Sequence, residues 1–86
     1  MSDQYIHARI NAVAIRQTPK AMLVEIHGKD KWLAYSKILT IDTKADGTVE
    51  VDNFKKNFKP NEHHIESVEM DAWLATEIHG LEIIED

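Results

Sequence analysis

Ala21-Met22-Leu23-Val24-Glu25-Ile26-His27-Gly28-Lys29-Asp30-Lys31-Trp32-Leu33-Ala34-Tyr35 is the stretch that decides the fold. Met22, Val24 and Ile26 alternate with Leu23, Glu25 and His27. That period of two is a strand signature, because successive side chains leave opposite faces of the pleat. The polar run from His27 to Lys31, with Gly28 inside it, predicts a hairpin loop, and Trp32 to Tyr35 the returning strand. An isolated hairpin is barely stable in water, so the flanking sequence must supply more strands.

Upstream, Tyr5 to Arg16 reads as a strand whose apolar phase changes once. Ile6, Ala8 and Ile10 share one parity, and Val13 and Ile15 the other, which is the pattern of a β-bulge. Thr18-Pro19-Lys20 reads as a turn, since proline fixes φ and lacks a donor. Downstream, Ser36 is placed to cap one helical turn through Leu39. Ile41 and Thr43 then face Val49 and Val51 across Lys44-Ala45-Asp46-Gly47, a second hairpin with an Asp-Gly turn signal. Phe54 and Phe58, four apart, fit one face of a short helix, but the surrounding lysines, asparagines and Pro60 fit a loop equally. His64 to Met70 reads as a last strand, with Val68 and Met70 on one side and Ile65 out of phase. Asp71 then caps a helix of about two turns, in which Leu74, Ile78 and Leu81 form one stripe. His79 falls in its last turn, with Gly80 at the left-handed cap position.

These elements predict an α+β protein: a small twisted antiparallel β-sheet or open barrel of about five or six strands with one C-terminal helix. Eighty-six residues make a single domain, 1–86. The chain has no cysteine, which excludes disulfides, thiolate metal sites and a thiol nucleophile. The start, Met-Ser-Asp-Gln-Tyr, lacks a signal-peptide pattern, and no apolar run approaches the roughly 20 residues of a membrane span. The expectation is a soluble, cytoplasmic protein with no membrane contact.

Charge is segregated along the chain. From Asn61 onward there is no lysine or arginine but eight carboxylates: Glu62, Glu66, Glu69, Asp71, Glu77, Glu82, Glu85 and Asp86. The preceding residues hold all 10 basic side chains, and the net charge is −5. Fields of this kind govern which partners approach, and an acidic face suits a partner with a basic groove. A contrasting face is available from Arg16, Lys20, Trp32, Tyr35 and Lys37, where aromatic rings with cationic rims suit single-stranded nucleic acid. Direct nucleic-acid binding is the weaker expectation, because the net charge opposes the counterion release it needs.

Reaction chemistry is thinly represented. His63 and His64 with Glu62 and Glu66 are the cluster nearest to a metal site, but adjacent strand residues point to opposite faces, so no metal or other cofactor is expected. Around Ser36, Ser67 and the threonines no local sequence sets a base beside a strained nucleophile. Gly28 and Gly47 sit in hairpin turns and form no phosphate loop. A non-enzymatic protein is expected.

Four stretches carry a resemblance: Ala12-Val13-Ala14-Ile15-Arg16-Gln17-Thr18-Pro19-Lys20-Ala21-Met22-Leu23-Val24-Glu25-Ile26, Gly28 to Lys31, Trp32-Leu33-Ala34-Tyr35-Ser36-Lys37-Ile38, and Trp73-Leu74-Ala75 leading to Gly80-Leu81. Together they resemble a group of small phage- and prophage-encoded proteins, mostly of unassigned function, often encoded near phage recombination or replication genes. The group usually has Pro-Lys where this chain has Ala34 and Tyr35, and Thr40 to Glu62 reads as an insertion. The resemblance implies a phage accessory protein in a bacterial host and transfers no catalytic residue. Combined with the charge, it suggests an inhibitor of a host nucleic-acid-handling protein, of anti-CRISPR or other anti-defence type. The alternatives are a nucleic-acid-binding accessory of phage recombination or replication, and an oligomeric scaffold, for instance a homodimer paired through edge strands.

Overall fold

The two-residue turn His27-Gly28 organises one end of the sheet. In the computed structural model, which describes residues 4–78 and 82–84, both turn residues have positive φ, 52° and 80°. Turns of that hand match the twist of the strands they join. Strands β2 (Ala21–Ile26) and β3 (Lys29–Ala34) therefore pair at once, with Ile26 opposite Lys29. The loop expected over His27 to Lys31 is shorter than its polarity suggested, because Lys29, Asp30 and Lys31 already belong to an edge strand.

The other elements are β1 (Tyr5–Gln17), a 3-10 turn (Tyr35–Lys37), β4 (Ile38–Thr43), β5 (Gly47–Glu50), α1 (Val51–Lys56), β6 (His63–Asp71), α2 (Ala72–Ala75) and β7 (Glu82–Ile83). They form one open, antiparallel, seven-stranded sheet in the order β3-β2-β1-β6-β4-β5, with β7 pairing to β1. The protein is mostly β, with more strands than the sequence pattern indicated and a shorter C-terminal helix. No helix among the described residues is long and apolar enough to cross a membrane.

Irregularities bend this sheet at its centre. Asn11 takes φ 46° where β1 slips by one residue against β6, between Arg9 and Ala12. Glu66 is the extra residue where β6 slips against β4. The bulge in β1 was expected, but its effect on the apolar residues was not. Ala8, Ile10, Ala12 and Ala14 all enter the core, and Val13 and Ile15 stay outside it, half-buried. The phase change belongs to β6, where the bulge at Glu66 lets Ile65 join Val68 and Met70 inside.

The core lies on one face of the sheet, built from Ile10, Met22, Val24, Leu33, Ile41, Ile65, Val68 and Met70, and closed by Phe54 of α1 and by Leu74, Ala75 and Ile78. Each large aliphatic side chain buried this way contributes roughly 1.5–3 kcal/mol. The Phe54 and Phe58 rings meet edge to face at 5.7 Å, but α1 ends at Lys56, so the stretch is helical as far as Lys56 and Phe58 lies in the loop beyond it. Val51 begins α1 instead of facing Thr43, whose partner is Gly47. Ser36 caps nothing, since the 3-10 turn begins at Tyr35. Asp71 does cap α2, accepting a hydrogen bond from the Trp73 amide at 2.7 Å. That helix is a single turn of four residues, shorter than expected, with Thr76 at its C-cap; His79, Gly80 and Leu81, expected in its last turn and cap, lie outside the described residues.

Candidate protein-docking face

The strands β1, β6, β4 and β5 bury one face, and among the described residues the other is left open. Cross-strand register decides what that open face shows, because directly opposed residues project to the same side. One row runs Glu50–Thr40–Glu69–His7, and the next runs Thr48–Asp42–Ser67–Arg9–Glu82. Side-chain contacts confirm both rows: Thr40 donates to Glu69 Oε1 at 3.4 Å, and Arg9 meets Glu82 at 3.2 Å. Asp71 follows in the same phase, opposite Tyr5. Five carboxylates, Asp42, Glu50, Glu69, Asp71 and Glu82, thus share this face. Over Tyr5–Arg9, β4, β5, β6 and β7 the one lysine or arginine is Arg9.

At its centre sits a hydrogen-bonded cluster. His7 Nε2 lies 2.7 Å from Asp42 Oδ2 and 2.8 Å from Ser67 Oγ, and Ser67 donates to the same Asp42 oxygen at 2.5 Å. Thr48 donates to the other carboxylate oxygen. Partial burial would raise the Asp42 pKa, but the hydrogen bonds from Ser67, Thr48 and His7 outweigh it and hold the carboxyl below its ordinary value. These are the three residue types of a hydrolase triad in a different arrangement. In a triad the imidazole bridges serine and aspartate through its two nitrogens. Here one nitrogen, Nε2, faces both the serine hydroxyl and the aspartate carboxylate. The cluster fixes β1, β4 and β6 to one another and anchors one negative charge.

The sequence-derived acidic residues are divided by the fold. Glu69, Asp71 and Glu82 share the open face. Glu62 is exposed beside the loop before β6, Glu66 lines a hollow with Lys44, and Glu77 lines another with Lys29 and Lys31. Glu85 and Asp86 lie outside the described residues. Asp42 and Glu50 were missed, because they precede the acidic third and only strand pairing brings them beside it.

The basic and aromatic residues are divided as well. Arg16, Leu23 and Trp32 form one cross-strand row, with Trp32 45% exposed. Lys20 and Tyr35 meet instead at a hollow near α1, and Tyr35 is buried there. Lys37 stands over the exposed Trp73 ring at 5.8 Å. His63 packs on Phe54 at 4.8 Å and accepts a hydrogen bond from the Lys59 amide, whereas His64 is exposed. The two neighbouring histidines therefore serve different surroundings.

Comparison of the chain with protein-family models, with curated proteins and with solved structures gives no match.

Proposed function

We propose that the protein is a non-enzymatic binding module whose open acidic face docks into a basic groove on a partner protein. The observation that carries this reading is the convergence of five carboxylates from β4, β5, β6 and β7 on one sheet face that, among the described residues, carries a single guanidinium, Arg9. Clefts that hold nucleic-acid phosphates have the complementary charge, so the partner class is a host nucleic-acid-handling protein. Inhibition of anti-CRISPR or other anti-defence type is the concrete form, supported by the resemblance to phage-encoded proteins. Electrostatic steering would speed association and fade as salt screens it.

The test is a capture experiment from host lysate with immobilised protein, repeated with the Glu50→Gln, Glu69→Gln, Glu82→Gln triple variant. The triple variant should lose the partner at physiological salt, while Glu62→Gln with Glu66→Gln should retain it. Equal capture by all three proteins would contradict the proposed face.

A further inference from the structure

One end of the acidic face is apolar. Tyr5, at the start of β1, is paired with Asp71, at the end of β6, and the two follow the row that holds His7 and Glu69. Same-face neighbours on a strand are about 7 Å apart, so Tyr5 borders the carboxylates directly. Leu39 flanks that row from β4. It is the extra residue where β4 slips against β6, between Ile38 opposite Met70 and Thr40 opposite Glu69. Leu39 and Thr40 thus oppose Glu69 together, and Leu39 stays exposed while Ile38 enters the core.

Trp73 comes just past Asp71, whose carboxylate accepts the Trp73 amide hydrogen bond. At 60%, it is the most exposed of the large apolar side chains among the described residues. Three of the five such side chains, Tyr5, Leu39 and Trp73, therefore collect where β1 starts, β6 ends and β4 starts; Trp32 lies away on the edge strand β3. Lys37, in the 3-10 turn before β4, holds its ammonium 5.8 Å from the Trp73 ring centre. That contact ties the indole to the strand end and reduces the side-chain freedom it would lose on docking.

We propose that this apolar end anchors the docking face, and that the partner's basic groove ends in an apolar pocket that takes the Trp73 indole. The inference rests on the acidic-face reading above. Glu69 and Asp71 flank the cluster, so a surface that reaches the indole also meets carboxylates, and the charge complementarity that selects a basic groove applies here too. Interfaces concentrate their binding energy in a few aromatic anchors seated in pockets, while the surrounding charges steer approach.

The probes are an oligolysine peptide and the same peptide carrying a pair of leucines at its N- or C-terminal end. Affinity is read by anisotropy of the labelled peptides. Indole emission is read in the Trp32→Phe variant, which leaves Trp73 as the one tryptophan, since the chain has 2. In one of its two polarities the leucine-bearing peptide should shift Trp73 emission to the blue and bind about fivefold more tightly than oligolysine, as added apolar burial requires. Trp73→Ala should erase that gain and leave oligolysine binding unchanged, whereas Trp73→Phe should keep most of it. Circular dichroism melts confirm that each variant is folded. The Glu50→Gln, Glu69→Gln, Glu82→Gln protein should lose both peptides; undiminished oligolysine binding there would remove the acidic face and this inference with it. No leucine gain in the parent, or a gain that survives Trp73→Ala, would overturn the apolar anchor alone and leave the acidic face standing. A blue shift that grows with protein concentration, without peptide, would mean that a second copy covers the indole, and would overturn the anchor as well.

Discussion

Asp42 is the residue on which the polar face turns. Its carboxylate accepts from Ser67, Thr48 and His7, and its side chain is 17% exposed. Hydrogen bonds to a charged group contribute about 1.5–3 kcal/mol each in favourable settings, and removing the acceptor leaves partly buried donors unpaired. Asp42→Ala should therefore destabilise by about 2 kcal/mol in urea unfolding at neutral pH. The pH dependence follows from the depressed folded-state pKa. The stability that Asp42 contributes is present above its unfolded value near 3.9 and is lost as pH falls through the lower folded value. Asp42→Asn should accordingly flatten the acid limb of stability against pH; an unchanged limb would show that other carboxyls account for it. Tyr35 titrates at the opposite extreme. Burial pushes its phenol up to about 12, so it stays protonated where an ordinary tyrosine near 10 has ionised. Absorbance titration of Tyr35→Phe against the parent should show the missing phenolate step well above pH 10.

At the scale of elements, the bends and turns carry conformations that side chains resist. Asn11 adopts φ 46° in the β1 bulge, a region open to asparagine and glycine but costly for branched residues. Asn11→Val should lower stability by about 1–2 kcal/mol, and Asn11→Gly by far less. A smaller Val effect would mean that the bulge slides elsewhere along the strand. Both hairpins were legible in the sequence, because Gly28 and Gly47 interrupt alternating apolar runs and each has positive φ. The cap at Asp71 and the pairing of Phe54 with Phe58 were also legible, since both rest on contacts a few residues apart. The placement of Val13 and Ile15 was not. Alternation reports parity, and parity alone does not say which strand absorbs an extra residue. Through its own bulge at Asn11, β1 keeps one parity buried from Ala8 to Ala14, and the residue that reverses a pattern is Glu66, which is extra against β4 and brings Ile65 inward. Strand β7 was hidden for a related reason: two residues whose pairing to Ala8 and Arg9 is entirely long-range carry no periodic signal.

For the whole molecule, the decisive feature is that sequence order and surface position differ. The acidic third of the chain was visible at once, yet Glu62, Glu66 and Glu77 leave the face that Asp42 and Glu50 join. Only cross-strand register makes that exchange. Like charges gathered on one face repel in the free protein, so Glu50→Gln with Glu69→Gln should raise the unfolding free energy in low salt by a few tenths of a kcal/mol. The gain should vanish at about 1 M NaCl, where the screening length is near 3 Å; a gain that persists there would point to packing instead of charge. The sheet is open at β3 and β5, but Lys29, Asp30 and Lys31 occupy one edge and the other strand has four residues, devices that discourage edge pairing. Light scattering should therefore show a monomer.

The most direct measurement is an NMR titration of the isotopically labelled protein with a short oligolysine peptide standing in for a basic groove. Amide shifts should concentrate at Asp42, Glu50, Glu69 and Glu82, on strands that are distant in sequence and adjacent in the sheet. Shifts centred on Glu62, Glu66 and Glu77 instead, or spread evenly over all carboxylates, would contradict a single docking face.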